Sequence, residues 1–113
     1  MLDANAIRLK ACRRRSALDQ AELAQLMGAS FHTISRFECA RTTPDTPILL
    51  SYDLIFDTPA RQLLPTTRIA LKRQILARAT RTLKRLERAP HRHSCAKVEF
   101  VRSLCQRLRE HAP

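Results

Sequence analysis

Gly28 is the only glycine in this chain of 113 residues, and that scarcity limits what the chain can form. The turns of β-sheet proteins depend on glycine, because several of their positions require a positive φ angle. Alanine, leucine, arginine and glutamine, which favour helices, fill much of the sequence instead. The sequence therefore predicts an all-α protein. Its aromatic content of 4% and its lack of tryptophan predict an aliphatic core.

Two short helices are predicted on either side of Gly28. Asp19 is a good N-cap and Glu22 stands three residues later, as in a capping box, so a helix is expected over residues 20–27. Ser30 can cap a second helix in the stretch SFHTISRFE. The spacing of the apolar residues predicts that these side chains point inward: Leu23, Ala24, Met27, Ile34 and Phe37.

Gly28 itself is expected just past the end of the first of these helices, in the left-handed conformation that only glycine adopts without strain. The tight turn is also expected to bring the two helices close together at a steep angle. A preceding helix is predicted from about residue 3 to residue 15, with Ile7, Leu9 and Cys12 as its buried stripe.

The stretch LDQAELAQLMGASFHTISRFE resembles the helix-turn-helix of the lambdoid repressor and Cro (Xre-like) family of DNA-binding domains, and the resemblance covers residues 7–64. The matching positions are Gln20, Ala24, Gly28, Thr33, Ile34, Ser35 and Glu38. Because that family folds as a five-helix bundle, the resemblance implies a DNA-binding domain over residues 1–66. Its fourth helix would follow TTPDTP and include Leu49, Leu50, Tyr52 and Phe56. Its fifth would be TPARQLL, with Thr58 as N-cap and Pro59 at the first position.

The same resemblance implies which residues meet DNA. The second helix of the motif enters the major groove, and the base contacts expected from it are Phe31, His32, Thr33 and Arg36. The phosphate contacts expected are Gln20, Ser30, Arg41 and Thr42. Arg36 is the strongest candidate for base reading, because its guanidinium can donate two hydrogen bonds to guanine. Blander alternatives are that Phe31 covers the edge of the core, that Arg36 is a solvated surface arginine, and that Gln20 only begins a helix.

Arg13 and Glu38 are expected, by resemblance, to form a largely buried ion pair that braces the bundle. Three positions depart from the family pattern. Ala17 and Ala40 replace glycines that are usual there, which predicts a strained backbone or a different helix cap. Asp53 stands where the family prefers a small apolar residue.

Nearly all of the net charge of +11 lies in the C-terminal part. Residues 67–113 carry 13 basic and 3 acidic residues, a net of +10, whereas residues 1–66 carry 8 and 7, a net of +1. Such an excess predicts a polyanionic partner. Ile69, Leu76 and Leu83 recur every seven residues, and Lys72, Ala79 and Leu86 form the alternate heptad line.

This pattern predicts a helix over residues 67–89, a break at Pro90 and a second helix over residues 97–110, together an antiparallel hairpin. Alone, such a hairpin buries too little apolar surface, so residues 67–113 are predicted to form a homodimer. The predicted interface residues are Ile69, Leu76, Leu83, Leu86, Val101, Leu104 and Leu108. The alternative is that the hairpin folds back on its own N-terminal domain.

The sequence thus predicts a dimeric repressor of transcription that binds a near-palindromic double-stranded DNA operator in a bacterial cytoplasm, associated with the nucleoid. One alternative is the antitoxin of a toxin-antitoxin pair, which would bind a protein partner through its basic tail; another is RNA binding. No membrane contact is predicted, because no run of about 18 apolar residues exists. Neither enzymatic activity nor a cofactor is predicted, since the chain has no glycine-rich phosphate loop, HExxH or GxSxG.

The four cysteines, Cys12, Cys39, Cys95 and Cys105, contain no CxxC pair and are expected to be reduced thiols. His91, His93 and Cys95, with Cys105 or His111 as a fourth ligand, are chemically suitable for zinc. Their spacing matches no established zinc pattern, so no metal site is predicted.

Overall fold

Every regular element within residues 3–110, the range that the computed structural model describes, is helical, which confirms the all-α prediction. The chain divides into an N-terminal unit, Met1–Arg68, and a C-terminal unit, Ile69–Pro113. The α-helices in chain order are α1 (Ala4–Arg15), α2 (Gln20–Met27), α3 (Phe31–Glu38), α4 (Thr46–Phe56), α5 (Pro65–Arg88) and α6 (Cys95–Glu110). Ala60–Gln62 and Pro90–Arg92 form 3-10 turns.

Each of the first four helices begins at a side-chain cap. Asp19 accepts a hydrogen bond from the backbone N–H of Glu22, and the Glu22 carboxylate accepts one from the backbone of Asp19, so the predicted capping box is present. Ser30 caps α3 by accepting from the N–H of Thr33. The other two caps are Asp3 on α1 and Asp45 on α4. These caps satisfy backbone donors that a short helix otherwise leaves free.

The core of the N-terminal unit collects the buried faces of these helices. Its buried residues are Leu9, Cys12, Leu23, Ala24, Ile34, Phe37, Tyr52, Leu63 and Leu64, and Met27 packs against them. The expectation of an aliphatic core is wrong here, because Tyr52 is fully buried and meets two other rings. Its ring centroid lies 6.5 Å from that of Phe37 and 5.8 Å from that of Phe56. Three of the five aromatic residues of the chain thus meet in this core.

Gly28 ends α2 with a φ of +68°, so the predicted left-handed conformation is confirmed. A Cβ added to Gly28 would meet no atom within 4 Å, so there is room for a side chain at this residue. Glycine is therefore required by the backbone angle and not by space. Ala17 and Ala40 adopt the same left-handed conformation, with φ of 60° and 61°. Because each has a Cβ, this conformation strains the backbone, as predicted.

Two local predictions are corrected by tertiary packing. Ile7 is 49% exposed, and Ala6 takes its place in the buried stripe of α1. The fifth helix expected over residues 58–64 is only a 3-10 turn, and Thr58 donates its hydroxyl to the carbonyl of Phe56 instead of capping it.

Asp53 contacts the start of this turn. Its carboxylate accepts a hydrogen bond from the N–H of Ala60 at 2.9 Å, so it starts the 3-10 turn from α4. Leu63 and Leu64 then enter the core, and a new helix begins at Pro65, a residue that fits the first helical position. The unexpected acidic residue thus has a structural role.

The C-terminal unit is the predicted antiparallel hairpin. Arg102 of α6 donates to Glu87 at 3.1 Å, and Arg109, later in α6, donates to the earlier Thr80 of α5 at 3.4 Å. Within α5, the buried residues are Lys72, Ala79 and Leu86, whereas Ile69, Leu76 and Leu83 are half-buried. On α6, Cys105 is buried and Val101, Leu104 and Leu108 are half-buried.

None of the helices in the described range is long and apolar enough to cross a membrane. The four cysteines are free thiols. Across residues 3–110, no three side chains of the histidine, cysteine or acidic types lie together as metal ligands would. His111, one of the candidate zinc ligands, lies outside the described residues.

Candidate nucleic-acid interface

The helix α3 has one buried face and one exposed face. Ile34 is fully buried and Phe37 nearly so, which confirms that both point inward. Phe31, His32 and Arg36 are exposed on the other side, and Thr33 is half-buried. The helix is therefore held from behind by two core residues while its outer side chains remain free to contact a ligand.

Phe31 does not belong to the core. Its side chain is 48% exposed, and its ring lies against that of His32, with centroids 5.0 Å apart. The two rings together form an exposed aromatic surface at the start of α3. Such a surface is suited to contact with an apolar group such as a thymine methyl.

An open cavity of about 280 Å³ lies beside the exposed face of α3. It is lined by His32, Ser35, Arg36, Cys39 and Arg41. Neither Arg36 nor Arg41 forms an ion pair with any residue in the range 3–110. The cavity thus presents two unneutralised guanidinium groups, which suit an anionic or hydrogen-bond-accepting partner.

The backbone after α3 brings Arg41 to this cavity. Ala40 adopts its left-handed conformation there, and the N–H of Arg41 then donates to the carbonyl of Arg36 at 2.9 Å. The N–H of Thr42 points to the same carbonyl at 3.5 Å. Both side chains are exposed. Ser35 and Cys39 also line the cavity and were not among the predicted contacts, although their helical spacing from His32 and Arg36 could have identified them.

The two other expected phosphate contacts lie at the starts of α2 and α3. Ser30 is exposed, and its hydroxyl lies 2.9 Å from that of Thr33 in addition to capping the helix. Gln20 is half-buried and its side-chain amide donates to a carboxylate oxygen of Glu38 at 3.1 Å. That bond fixes the Gln20 side chain at the N-terminus of α2, where partial positive charge favours an anion.

Arg13 and Glu38 form a two-bond ion pair between α1 and the end of α3. The distances are 2.7 Å from Nε to Oε2 and 2.9 Å from Nη2 to Oε1, and the two side chains are 12% and 2% exposed. Arg13 also donates to the carbonyl of Leu18 at 2.8 Å. The hydrogen bonds that Arg13 donates to the Glu38 carboxylate raise the pKa of the guanidinium. Glu38 also accepts the hydrogen bond from Gln20, so this group of side chains fixes α2 and α3 relative to α1.

Tyr52 lies near the same pair with its hydroxyl buried. That hydroxyl has no hydrogen-bond partner in the described part of the chain. Burial raises the pKa of Tyr52 far above its ordinary value, and the negative charge of Glu38 raises it further. Tyr52 is consequently a neutral core residue that supports the interface from behind.

The N-terminal unit therefore contains two short helices joined by a left-handed turn, and the second of them has an exposed face. A family model described as a helix-turn-helix domain matches residues 6–64, which is more than half of the chain. The chain belongs to the helix-turn-helix domain family. No curated protein and no solved structure matches it. In this helix-turn-helix domain, α2 and α3 are the two helices of the motif and Gly28 forms the turn between them.

Proposed function

We propose that this protein is a transcriptional repressor that reads double-stranded DNA with α3. The observation that carries the proposal is the division of α3 into a face buried through Ile34 and Phe37 and a face exposed through Phe31, His32 and Arg36. Membership of the helix-turn-helix family supports a DNA-binding regulator. The major groove, about 12 Å wide, admits one helix presented in this way.

Sequence reading is assigned to the outer side chains of α3. Arg36 donates to guanine O6 and N7, and Phe31 and Thr33 contact thymine methyl groups. His32, which shares the cavity with Arg36, contacts a base edge or a phosphate. Thr33 contributes less than the others, because it is half-buried and its hydroxyl is bonded to Ser30.

Phosphate binding is assigned to residues at both ends of the motif. Gln20 and Ser30 lie at helix N-termini, and Arg41 and Thr42 are exposed just after α3. Contacts of this kind set the position of the protein on the duplex without reading its sequence. The net charge of +10 in residues 67–113 adds a salt-dependent attraction to DNA.

Repression by a homodimer completes the proposal. A two-fold dimer places two copies of α3 about 34 Å apart, one turn of DNA, and so reads a near-palindrome. The C-terminal unit is proposed as the dimer interface, through Ile69, Leu76, Leu83, Leu86, Val101, Leu104 and Leu108. Most of these are half-buried within a single chain, whereas Leu86 is only 2% exposed. Apolar side chains that remain exposed on the same helices are Leu71, Ile75 and Phe100.

Selection of bound duplexes from a random pool tests the proposal most directly. The expected result is one preferred site with two-fold symmetry and half-sites one helical turn apart. Arg36→Ala should then lose about 1 to 3 kcal/mol of discrimination at one or two base pairs, with folding intact. Arg61→Ala, at an exposed arginine of the 3-10 turn, is the matched control and should keep the preference. Equal loss on every sequence, or equally tight binding of structured RNA as salt rises, would contradict base reading by α3.

Sedimentation of Leu76→Asp tests the dimer. We expect monomers with unchanged helix content, because a carboxylate in an apolar interface is left unpaired. Leu71→Asp places the same charge on an exposed line of α5 and should leave the dimer intact. If Leu71→Asp dissociates the dimer and Leu76→Asp does not, the proposed interface is wrong.

A further inference from the structure

The outer face of α1 carries an apolar groove with a basic rim. Ile7 and Ala11 lie one turn apart on this face, and Lys10, Arg14 and Arg15 surround them. These five residues, all on α1, form a shallow and open surface, here called the α1 groove. Ile7 is 49% exposed, so an isoleucine sits at the surface in the middle of three cations.

The α1 groove lies on the side of the helix away from the core. Ala6, Leu9 and Cys12 are the buried residues of α1, and Arg13 reaches from the same side to Glu38 at the end of α3. Since a helix turns by about 100° per residue, the groove residues centre roughly opposite this buried side. A molecule in the α1 groove therefore leaves the exposed face of α3 accessible.

The positive charge around the groove is a local concentration. Residues 4–15 hold five of the eight basic residues found in residues 1–66, and none of the seven acidic ones. Arg13 is neutralised by Glu38, whereas Lys10, Arg14 and Arg15 form no ion pair with any residue between 3 and 110. The remainder of residues 1–66 holds 3 basic and 7 acidic residues, a net of −4, so the positive charge of this unit is concentrated on α1.

We propose that the α1 groove docks an acidic amphipathic helix of a partner protein, and does so while α3 remains on DNA. The apolar side chains of that helix pack on Ile7 and Ala11, and its carboxylates pair with Lys10, Arg14 and Arg15. This is the mode in which a helix lays its apolar face into a groove, with charge complementarity fixing its register. The proposal is independent of which operator the protein reads.

Two other polyanions fit this surface less well. A nucleic-acid backbone would pair with the cations but would leave Ile7 in water, because phosphates offer no apolar contact. A membrane surface needs a continuous apolar face that sinks into the acyl boundary, and this face has only Ile7 and Ala11. An acidic helix uses both parts of the groove at once.

The probe is a fluorescent helical peptide of about 16 residues, with leucines at positions i, i+4 and i+7, glutamates on either side of them and alanines elsewhere. A scrambled peptide of the same composition is its control. Fluorescence anisotropy is measured on the full chain with duplex DNA in saturating excess, so that the basic C-terminal unit and α3 are already occupied. We expect the amphipathic peptide to bind at least about tenfold more tightly than the scrambled one.

Two variants and two matched controls locate the binding site. Ile7→Ser and Arg14→Gln should each weaken peptide binding about tenfold. Arg8→Gln, on the same helix outside the groove, and Leu54→Ser, at an 83% exposed leucine of α4, should not. Arg14→Gln keeps the test valid if Ile7→Ser lowers the stability of the chain.

Several results would overturn the proposal. They are equal binding of both peptides, equal weakening by Arg8→Gln and Arg14→Gln, and loss of the peptide when duplex DNA is added. Binding to anionic phosphatidylglycerol vesicles that depends on Ile7 and Arg14 would assign the groove to lipid and would overturn it as well.

Discussion

The two units of the chain use charge in different ways. In the N-terminal unit, Arg13 and Glu38 are 12% and 2% exposed and join two helices. In the C-terminal unit, Arg102 and Glu87 are 49% and 48% exposed, and the pair lies at the surface of the hairpin. Residues 1–66 have a net charge of +1 around a core of nine buried residues, whereas residues 67–113 have a net charge of +10. The same pair of residue types is thus structural in one unit and superficial in the other, because desolvation decides how much an ion pair matters.

Removal of one carboxylate from each pair tests this contrast and has the largest expected effect. Glu38→Ala leaves Arg13 buried without its partner, so we expect the free energy of unfolding of the N-terminal unit to fall by about 3 to 5 kcal/mol. Glu87→Ala removes an exposed partner and should change stability by less than about 0.5 kcal/mol. Tyr52 is the only tyrosine and the chain has no tryptophan, so tyrosine fluorescence in urea follows the N-terminal unit alone. Equal effects of the two variants would contradict the comparison.

Backbone conformation is a second difference between the two units, since all four positive φ angles in the described range lie in the N-terminal unit. Gly28→Val forces a β-branched side chain to φ +68° and should lower the free energy of unfolding by about 2 kcal/mol. Ala40→Gly relieves the same strain at φ 61° and should raise it by about 1 kcal/mol. The urea midpoints of both variants measure these changes. An unchanged midpoint for Gly28→Val would remove the backbone explanation for the single glycine.

The burial of Tyr52 makes the stability of the N-terminal unit depend on pH. Burial and Glu38 hold the pKa of its hydroxyl above the ordinary value of about 10, so ionisation opposes folding. The folded state favours the neutral hydroxyl of Tyr52. Its effect on the free energy of unfolding is therefore complete below about pH 10, and stability is lost as the pH rises above that value. Tyr52→Phe should keep stability or raise it by up to about 1 kcal/mol at neutral pH, because the buried hydroxyl has no partner among residues 3–110.

Thermal unfolding between pH 7 and 11 measures this difference. The wild-type protein should lose more stability at alkaline pH than Tyr52→Phe does. Absorbance of tyrosinate offers a direct check, since only one tyrosine is present. Titration of Tyr52 in the folded chain at the ordinary pKa would contradict its burial.

The smallest expected effect concerns the basic C-terminal unit. Arg85 is exposed on α5, and Arg85→Ala should weaken binding to all duplexes alike and lower the salt slope by about one. Arg36→Ala should instead lose discrimination between sequences. Binding isotherms at several salt concentrations separate the two. A change of sequence preference in Arg85→Ala would contradict the assignment of sequence reading to α3 and of salt-dependent attraction to the C-terminal unit.

Sequence reasoning succeeded where a few neighbouring residues decide the outcome. Asp19 and Glu22 form their capping box, Gly28 has a positive φ, and Ile34 and Phe37 point inward. Each of these depends on contacts or backbone angles within about one helical turn. The exposure of Phe31, His32 and Arg36 follows from the same periodicity.

It failed where residues far apart in the chain decide the outcome. Ala6 and Ile7 are adjacent apolar residues, and the sequence alone does not show which of them is buried. The packing of α1 on the other helices buries Ala6 and leaves Ile7 exposed. The 3-10 turn found in place of the expected fifth helix is tied to α4 by the bond from the N–H of Ala60 to Asp53, seven residues earlier.

The sequence by itself therefore determined that the chain is helical, where its first helices begin, and which face of α3 is outward. Hydrogen bonds and φ preferences act over a few residues, so they can be read from local order. Only the tertiary structure decided which aromatic rings meet around Tyr52 and that Ile7 of α1, not Ala6, stays in water. Those outcomes depend on packing between segments that the linear order does not place together.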